Sequence, residues 1–490
     1  MEASVTLADT ALVEDIDLQR DRLLWRLAEQ RARNGELWGW YRGQQDLPDV
    51  PAGYAAAYQL FLDHAITPWA RLVVDSVAER LRVQGVRSAD NTEAASEVWD
   101  AFQRARLTAD QRLIYTEALI GGTGYVSVAD TGGGPRIVPE SSFEVTHEPD
   151  LTDRQRVAAA LKIYPLDWSR RQWVTELYRP EATYRWLAEV PRPPRDIGAM
   201  PIDSRRRGRF MEWSDGPEVT SNPLGAVPVV PFENRVNVLA GGASEIEDCI
   251  PILQRIDRLT LDLMLTSHYG SFRQKWATGL QVPRDPDTGK PIEPYKSAVT
   301  RLWVNEKADG SFGSFDATDP SGYLTAIDSQ IATLAAISRV PAHYLMQRNL
   351  ANPPSAESLI AAETGLVSKV EDRQNQYGEA WEQAFWLWSQ LAGIVVDVEE
   401  FEVEWVDAEK RNPAQVADAA TKWASLGVPE PALWEYGGFS PQQISEWTTE
   451  QAASDLLAAA STAPAPVPVP APASPPPPPA APPEAPVVAA

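Results

Sequence analysis

Ser244-Glu245-Ile246-Glu247-Asp248-Cys249-Ile250-Pro251-Ile252-Leu253-Gln254-Arg255-Ile256-Asp257-Arg258-Leu259-Thr260-Leu261-Asp262-Leu263-Met264 decides how the chain is read. Ser244 with Glu247 three positions on forms a capping box, in which the serine oxygen satisfies a free amide and the glutamate reaches back. A helix is therefore expected to start at Ser244. Pro251 is its weak point, because an interior proline removes a hydrogen bond, kinking the helix or setting a later start. At 100° per residue Ile246, Ile250, Leu253, Ile256, Leu261 and Met264 share a broad apolar face, while Glu247, Asp248, Arg255, Arg258 and Asp262 gather opposite. Asp257 breaks the pattern. So wide a stripe suits a helix packed against more than one neighbour.

Downstream, a second long helix is predicted over 355–391, with Leu359, Leu366, Val370, Tyr377, Trp381, Phe385 and Trp388 at helical spacings. It would reach about 50 Å, with Gly365 and Gly378 as places for a bend. A shorter helix, Leu324 to Arg339, precedes it. The insertion from Arg273 to Gly322 carries turn signals at Asp285-Pro286-Asp287, Thr288-Gly289-Lys290 and Ala308-Asp309-Gly310.

Upstream, helical periodicity is predicted for Ala11 to Gly43, for a stretch from Tyr58 to Leu81, and for one helix over Thr92 to Ile120. Alternation then takes over at Gly124 to Val128, Arg136 to Val138, Leu161 to Tyr164, Gln172 to Tyr178, Thr183 to Leu187 and Val227 to Phe232. Residues 190–225 read as a surface loop. Beyond Ile394 to Asp407, which alternates in part, Asn412-Pro413 opens a pair of short helices. From Ser461 the chain is almost all Ala and Pro, too poor in apolar bulk for a core and expected to be extended and mobile. The fold class expected is α+β, mainly α, elongated and built on long helices.

Composition narrows the function. The 490 residues carry 44 Lys+Arg against 68 Asp+Glu, a net charge of −24. Gripping phosphate backbones takes a basic surface, so tight nucleic-acid binding by the chain as a whole is excluded. Its 18 tryptophans suit cores and subunit contacts. Cys249 is the single cysteine, so no intrachain disulfide forms, and it reads as a buried helical residue. His64, His147, His268 and His343 show no metal-ligand spacing. No apolar run reaches the roughly twenty residues that span a bilayer. Met1 to Asp15 is acidic, without a signal peptide's basic start, so the product is expected to stay in the cytoplasm where it is made.

Motifs for catalysis are missing. Gly121-Gly122-Thr123-Gly124 precedes a strand and lacks the lysine of a phosphate loop, so it reads as a helix cap, and Gly132-Gly133-Gly134 reads as a hairpin turn. There is no Gly-x-Ser-x-Gly, His-Glu-x-x-His or Cys-x-x-Cys. Glu400, Glu402 and Glu404 line one strand face and could hold a divalent cation, but such a row is usually a solvated face opposite Phe401, Val403 and Trp405. The Arg205-Arg206-Arg207 and Arg209 cluster reads as part of a solvated loop. No catalytic residue, metal site or cofactor is expected.

Several phrases, in this order, resemble the portal proteins of long-tailed double-stranded DNA phages, especially those of actinobacteria. They are Leu72-Val73-Val74-Asp75-Ser76-Val77-Ala78-Glu79-Arg80-Leu81, Gly124-Tyr125-Val126 and Pro223-Leu224-Gly225-Ala226-Val227-Pro228-Val229-Val230-Pro231-Phe232. Ala243-Ser244-Glu245-Ile246, Val340-Pro341-Ala342-His343-Tyr344-Leu345 and Asn352-Pro353-Pro354-Ser355-Ala356-Glu357 continue the series, and the likeness runs from Leu60 to Trp447. It implies a ring of twelve subunits with wing, stem, clip and crown. By position, residues 1–240 and 355–407 resemble the wing, 241–272 and 323–339 the stem helices, and 273–322 the clip. Residues 340–354 resemble the tunnel loop and 408–460 the crown, while the first 50 residues and the Ala/Pro tail, 461–490, have no match in the resemblance and their roles stay open. The loop would bring Val340, Pro341, His343, Tyr344, Gln347, Arg348, Asn349 and Asn352 towards DNA. The stem stripe of Ile246, Ile250, Leu253, Ile256, Leu261 and Met264 would meet adjacent subunits.

The implied partners are other copies of the chain, the terminase large subunit, a head-tail adaptor, the major capsid and scaffolding proteins, and double-stranded DNA passing without sequence specificity. No membrane is involved, and the place is the portal vertex of the capsid in the virion. A ring of twelve at −24 each would carry roughly −290, repelling a sliding duplex rather than trapping it. Two other readings are another phage head-assembly or adaptor protein, and a metal-dependent enzyme acting on DNA through the Glu400 to Glu404 row.

Overall fold

The computed structural model describes residues 5–46, 61–189, 217–237, 241–271, 275–278, 284–290, 311–314, 319–346, 355–397, 401–409 and 413–462, apart from positions 63, 89–90, 131, 151, 168 and 170 within those ranges. The Arg205 to Arg209 cluster, Glu400 and the Ala/Pro tail beyond Thr462 lie outside the described residues.

The N-terminal half is a set of helices laid on two sheets. Helix α1 (Val5–Arg42) is followed by α2 (Trp69–Ala78), strand β1 (Val83–Ser88), α3 (Thr92–Arg104) and α4 (Leu107–Gly121). Pro68 sits immediately before α2 and separates it from the helical residues around Phe61. The one helix expected over Thr92 to Ile120 is two. Arg106 takes a left-handed conformation (φ 63°), which turns the chain and lets Leu107 enter the core at the start of α4. Asn91 caps α3 by accepting from the Ala94 amide at 3.0 Å.

Strands β2 (Thr123–Asp130), β3 (Pro135–Glu140) and β9 (Val229–Glu233) form an antiparallel sheet in the order β3-β2-β9. Strands β4 (Val145–Pro149), β5 (Val157–Pro165), β6 (Gln172–Tyr178), β7 (Ala182–Glu189) and β8 (Glu218–Ser221) form an antiparallel meander. Strand β8 falls inside the stretch expected to be loop, and β4, with Thr146, His147 and Glu148, has too little apolar alternation to announce itself. The Gly132 to Gly134 turn joins β2 to β3, with positive φ at Gly132 and Gly134.

Two cores result. Along its first half α1 lays Ile16, Leu23, Leu24 and Leu27 over Leu161, Trp173, Leu177 and Trp186 of the five-stranded sheet. Its second half delivers Leu37 and Trp40 to the main core, shared by α2, α3, α4 and the three-stranded sheet. One helix thus ties both units.

The C-terminal half begins with a 3-10 turn, Glu247–Cys249, and α5 (Ile250–Ser271). Short strands β10 (Lys275–Ala277) and β11 (Phe312–Ser314) pair antiparallel, and α6 (Ser321–Ser338) returns along α5. A single turn, α7 (Ala342–Leu345), leads towards α8 (Ala356–Ala392). Ser355 caps α8 by accepting from the Ser358 amide at 3.2 Å, and Gly393, at φ 79°, ends it. Strand β12 (Phe401–Trp405) pairs antiparallel with β1.

Helix α8 threads the main core. Its Trp381 donates to the Tyr115 hydroxyl at 2.8 Å, its Tyr377 stacks on Tyr115, and its Trp381 and Phe385 meet Phe102 of α3 edge-on. The polar tips of Trp381 and Tyr115 satisfy each other in this way while their rings fill volume, whereas the buried Tyr377 hydroxyl has no hydrogen-bond partner. The described residues close with α9 (Pro413–Ser425), α10 (Glu430–Tyr436) and α11 (Pro441–Thr462). These are three helices where a pair was expected, because Gly427 and Gly438, both at positive φ, each break the run.

Candidate functional site

The α5–α6 hairpin and the segment that follows it carry most of the residues that the sequence singled out. Their root is built from the backbone upward. Gly122 ends α4 in the left-handed region (φ 93°) against Gly242, where a Cβ on Gly242 would stand 1.9 Å from the Gly122 carbonyl. Two glycines let the chains cross at that distance. The crossing places the Glu245 amide on the Leu119 carbonyl at 2.9 Å, so Glu245 is delivered to the end of α4 just before the hairpin starts.

Ser244 is not the cap of a helix. Its hydroxyl accepts from the Ile246 amide at 3.0 Å, the 3-10 turn follows, and the α-helix opens at Ile250. Pro251 then lies in the first turn, where its missing N–H costs nothing, and this sets the later start. The capping-box expectation is corrected accordingly.

The apolar face of α5 is largely spent inside the chain. Ile246, Leu253 and Ile256 lie in the main core, and Leu261 packs with Leu62 and Ala65. All four are at most 2% exposed, so their own chain covers them and they have almost no area left for a neighbouring copy. Ile250 and Met264 are half-buried. Asp257, the residue out of pattern, is buried on this face and accepts from Gln45 Nε2 at 2.9 Å. Burial pushes its carboxyl up to about 6, against the opposing pull of the Gln45 and Thr67 hydrogen bonds.

The outer face of α6 is different. Leu324 and Ile337 are 50% and 51% exposed, and Thr325, Ser329, Ala332, Thr333 and Ala336 also face out, with no charge among them.

At the root a buried ion cluster joins three segments. Glu245 lies 2.6 Å from Lys369 Nζ and 2.9 Å from Arg373 Nη2, and all three side chains are nearly sealed from solvent. Lys369 also donates to the Ser338 carbonyl at 3.0 Å, satisfying a free acceptor at the C-terminus of α6. Glu245, just before α5, and Ser338, the last residue of α6, are thus held by one lysine of α8, and β10 pairs with β11 at the other ends. The two helices run antiparallel. Burial raises the Glu245 carboxyl, but Lys369 and Arg373 together bring it below the usual carboxylate range. A cleft of about 420 Å³ opens beside the cluster, lined by Arg235, Asp248, Arg339 and Gln376 among others. Cys249, at its edge, is buried, and burial pushes its thiol up to about 11, which leaves it inert at neutral pH.

Residues 340–346 are anchored, not open loop. Val340, Pro341 and Leu345 are buried, and His343 and Tyr344 are half-buried. Tyr344 donates its hydroxyl to Glu363 at 3.0 Å. Arg80 donates to the Tyr344 oxygen, to Glu363 and to the Ala408 carbonyl, each at 2.9 Å, and His343 lies 3.8 Å from Glu363. Gln347, Arg348, Asn349 and Asn352 lie outside the described residues.

The acidic strand is tied up in pairs. Arg87 of β1 reaches Glu402 at 2.9 Å, Glu404 at 3.5 Å and Glu435 of α10 at 3.2 Å. Its hydrogen bond to Arg87 lowers the Glu402 carboxyl, while burial raises that of Glu404. Among the described residues no group of three or more His, Cys, Asp or Glu is arranged to hold a metal ion. Likewise, none of their helices is long and apolar enough to cross a membrane.

Sequence reasoning passed over Lys369, Arg373 and Arg80. A signal was available for the first two: cations at i and i+4 share the face of α8 that carries Leu366, Val370 and Tyr377, where a free charge has no place.

The family model described as "Phage portal protein, SPP1 Gp6-like" matches residues 26–455. The portal protein of Mycobacterium phage D29 is 27% identical over 470 residues, covering 91% of each chain. That of Mycobacterium phage L5 is 28% identical over 424 residues, covering 81% of each. A chain in the neck of an empty gene transfer agent particle aligns with 74% of this one at 12% identity and a TM-score of 0.40, a distance at which the likeness adds nothing to the assignment. The match to the family model spans the main core, both sheets, the α5–α6 hairpin, α8 and most of the C-terminal helices, so the chain belongs to the SPP1 Gp6-like family of phage portal proteins, a structural family and not an enzymatic one.

Proposed function

We propose that this chain assembles as a closed ring, twelve copies around an axis, and lines the channel at the capsid vertex through which the genome is packaged and ejected. In this reading α5 and α6 are the stem, the segment bearing β10 and β11 is the clip, and residues 340–354 are the tunnel loop. The clip docks the terminase large subunit during packaging and the head-tail adaptor afterwards, and capsid and scaffolding proteins hold the outer body. DNA passes without being read.

The observation that carries the reading is the antiparallel α5–α6 hairpin, both of whose ends meet at Lys369. A hairpin whose root is tied to one lysine and whose far end is closed by β10 and β11 suits a wall element. The apolar face of α5 is consumed within the chain, so the surface left for a neighbour is the uncharged outer face of α6 around Leu324, Ala332 and Ile337. Ring closure would bury that face on every copy and leave no free edge. The acidic balance supports a passive wall, because −24 per copy gives a duplex nothing to grip. ATP hydrolysis belongs to the partner motor.

Negative-stain imaging and native mass measurement of the purified protein test this. Rings of about twelve copies with an axial hole are expected. A chain that stays monomeric at high concentration overturns the reading.

A further inference from the structure

Helices α9 to α11 contain no buried residue among those whose side chains are described. Yet they carry a dense set of aromatics. Trp434 and Phe439 both meet Trp447 edge-on, with ring centres 5.6 and 4.8 Å apart, and Trp423 meets Tyr436 at 4.1 Å. These contacts order the rings without drying them: Trp423 is 38% and Phe439 40% exposed. Among the described residues, the rest of the chain touches this region through Arg87 on Glu435 and through Pro441 against Gly85. Partly exposed aromatics gathered on three helices that have no buried residue mark a surface built to be covered.

The occupant must tolerate the local charge. Residues 413–462 hold six carboxylates against a single lysine, Lys422, so the same face of a second copy, or a nucleic acid, would meet repulsion. The segment immediately following has the opposite character. Residues 463–490 contain 13 prolines in 28 positions and one ionisable side chain, Glu484. Such a composition favours the polyproline II conformation, whose ridges seat on aromatic-lined grooves with little entropy left to lose. At about 3.1 Å per residue the segment reaches some 85 Å, whereas Trp447 lies only about 22 Å back along α11 from Thr462. Its length suffices to return to its own aromatic seam.

We propose that the Ala/Pro segment, residues 463–490, docks in polyproline II form on the aromatic seam of Trp423, Trp434, Phe439 and Trp447. The docked segment supplies the apolar cover that the three helices lack. Ring assembly is not required for it, since seam and segment belong to one chain.

The test compares the full chain with one ending at Thr462. Removing the segment is expected to shift tryptophan emission to the red, and a synthetic peptide of residues 463–490 titrated into the shortened chain should reverse the shift with saturation. A peptide with the prolines of 464–479 replaced by alanine should bind at least about tenfold more weakly. Phe439→Ser, at an exposed position, should weaken the peptide similarly without changing the far-ultraviolet circular dichroism. Two results overturn the proposal: identical emission of the two chains with no saturable peptide response, or a photo-crosslinking version of the peptide that captures residues outside 413–462. Rings formed equally by both chains leave the channel reading intact, so the two ideas fail separately.

Discussion

The Glu245 carboxylate lies 2.6 Å from the Lys369 ammonium, and the two side chains are only 5% and 7% exposed. A buried pair of this kind is costly to break from one side, because the remaining charge is stranded without water.

Glu245→Gln is therefore expected to destabilise the protein by about 3–5 kcal/mol at pH 7. Lys369 and Arg373 hold the folded carboxyl below its usual range, so the cluster's contribution is present above the unfolded value of about 4.3 and is lost as pH falls through the folded one. Thermal melts of both proteins from pH 7 to pH 3 should show a gap that narrows at the acid end. A constant gap would mean that the carboxylate's charge is not what stabilises.

Asp257 has the opposite sign. Its folded carboxyl is raised to about 6, so the folded state binds the proton more tightly and stability falls as pH rises from about 4 to 6. Asp257→Asn keeps an oxygen for Gln45 and removes the charge. It should stabilise the protein at pH 7 by about 1–3 kcal/mol and flatten the pH dependence in that window. Melts of the variant at pH 5 and pH 7 decide it.

Ala332→Glu places a charge on the uncharged outer face of α6, at an exposed position. The stability of a single copy should change by no more than about 0.5 kcal/mol, whereas assembly into rings should be lost. Sedimentation velocity reads the second and a melt the first. Rings that survive would place the subunit contact elsewhere.

Arg87→Ala removes the cation shared by Glu402, Glu404 and Glu435. These partners are partly exposed, so the global loss should stay within about 1 kcal/mol. The visible effect should be local: faster proteolysis between residues 406 and 441, as α9 to α11 lose their hold on β1. Unchanged cleavage would leave the Pro441–Gly85 contact as the working anchor.

Local signals made part of this legible in the sequence. Ser355 and the apolar spacing to Trp388 marked α8 to within a residue at each end, because its capping interactions are sequence neighbours. The same kind of signal misled at Ser244, where the Ser-x-x-Glu pattern is present but Pro251 moves the helix start to Ile250. Strand β1, with Gln84, Gly85 and Arg87 among its six residues, has little strand character of its own and forms by pairing with Phe401–Trp405 far along the chain. The root cluster was hidden for a related reason. Lys369 and Arg373 look like solvated charges until tertiary packing brings Glu245 to them. Asp257, noted as out of place on an apolar stripe, was a correct signal whose partner, Gln45, no spacing rule could supply.

Mechanically, the hairpin is clamped at its root by Lys369 and along its inner face by Leu253, Ile256 and Leu334 in the main core. Glu245 before α5 and Ser338 at the end of α6 both bear on Lys369, and Lys369 belongs to the rod that runs through the main core. A tilt of the hairpin as a rigid piece cannot stay at its root. It must lever α8, and with it the stacked rings of Tyr377 and Tyr115, so strain applied to the wall is delivered to the centre of the body.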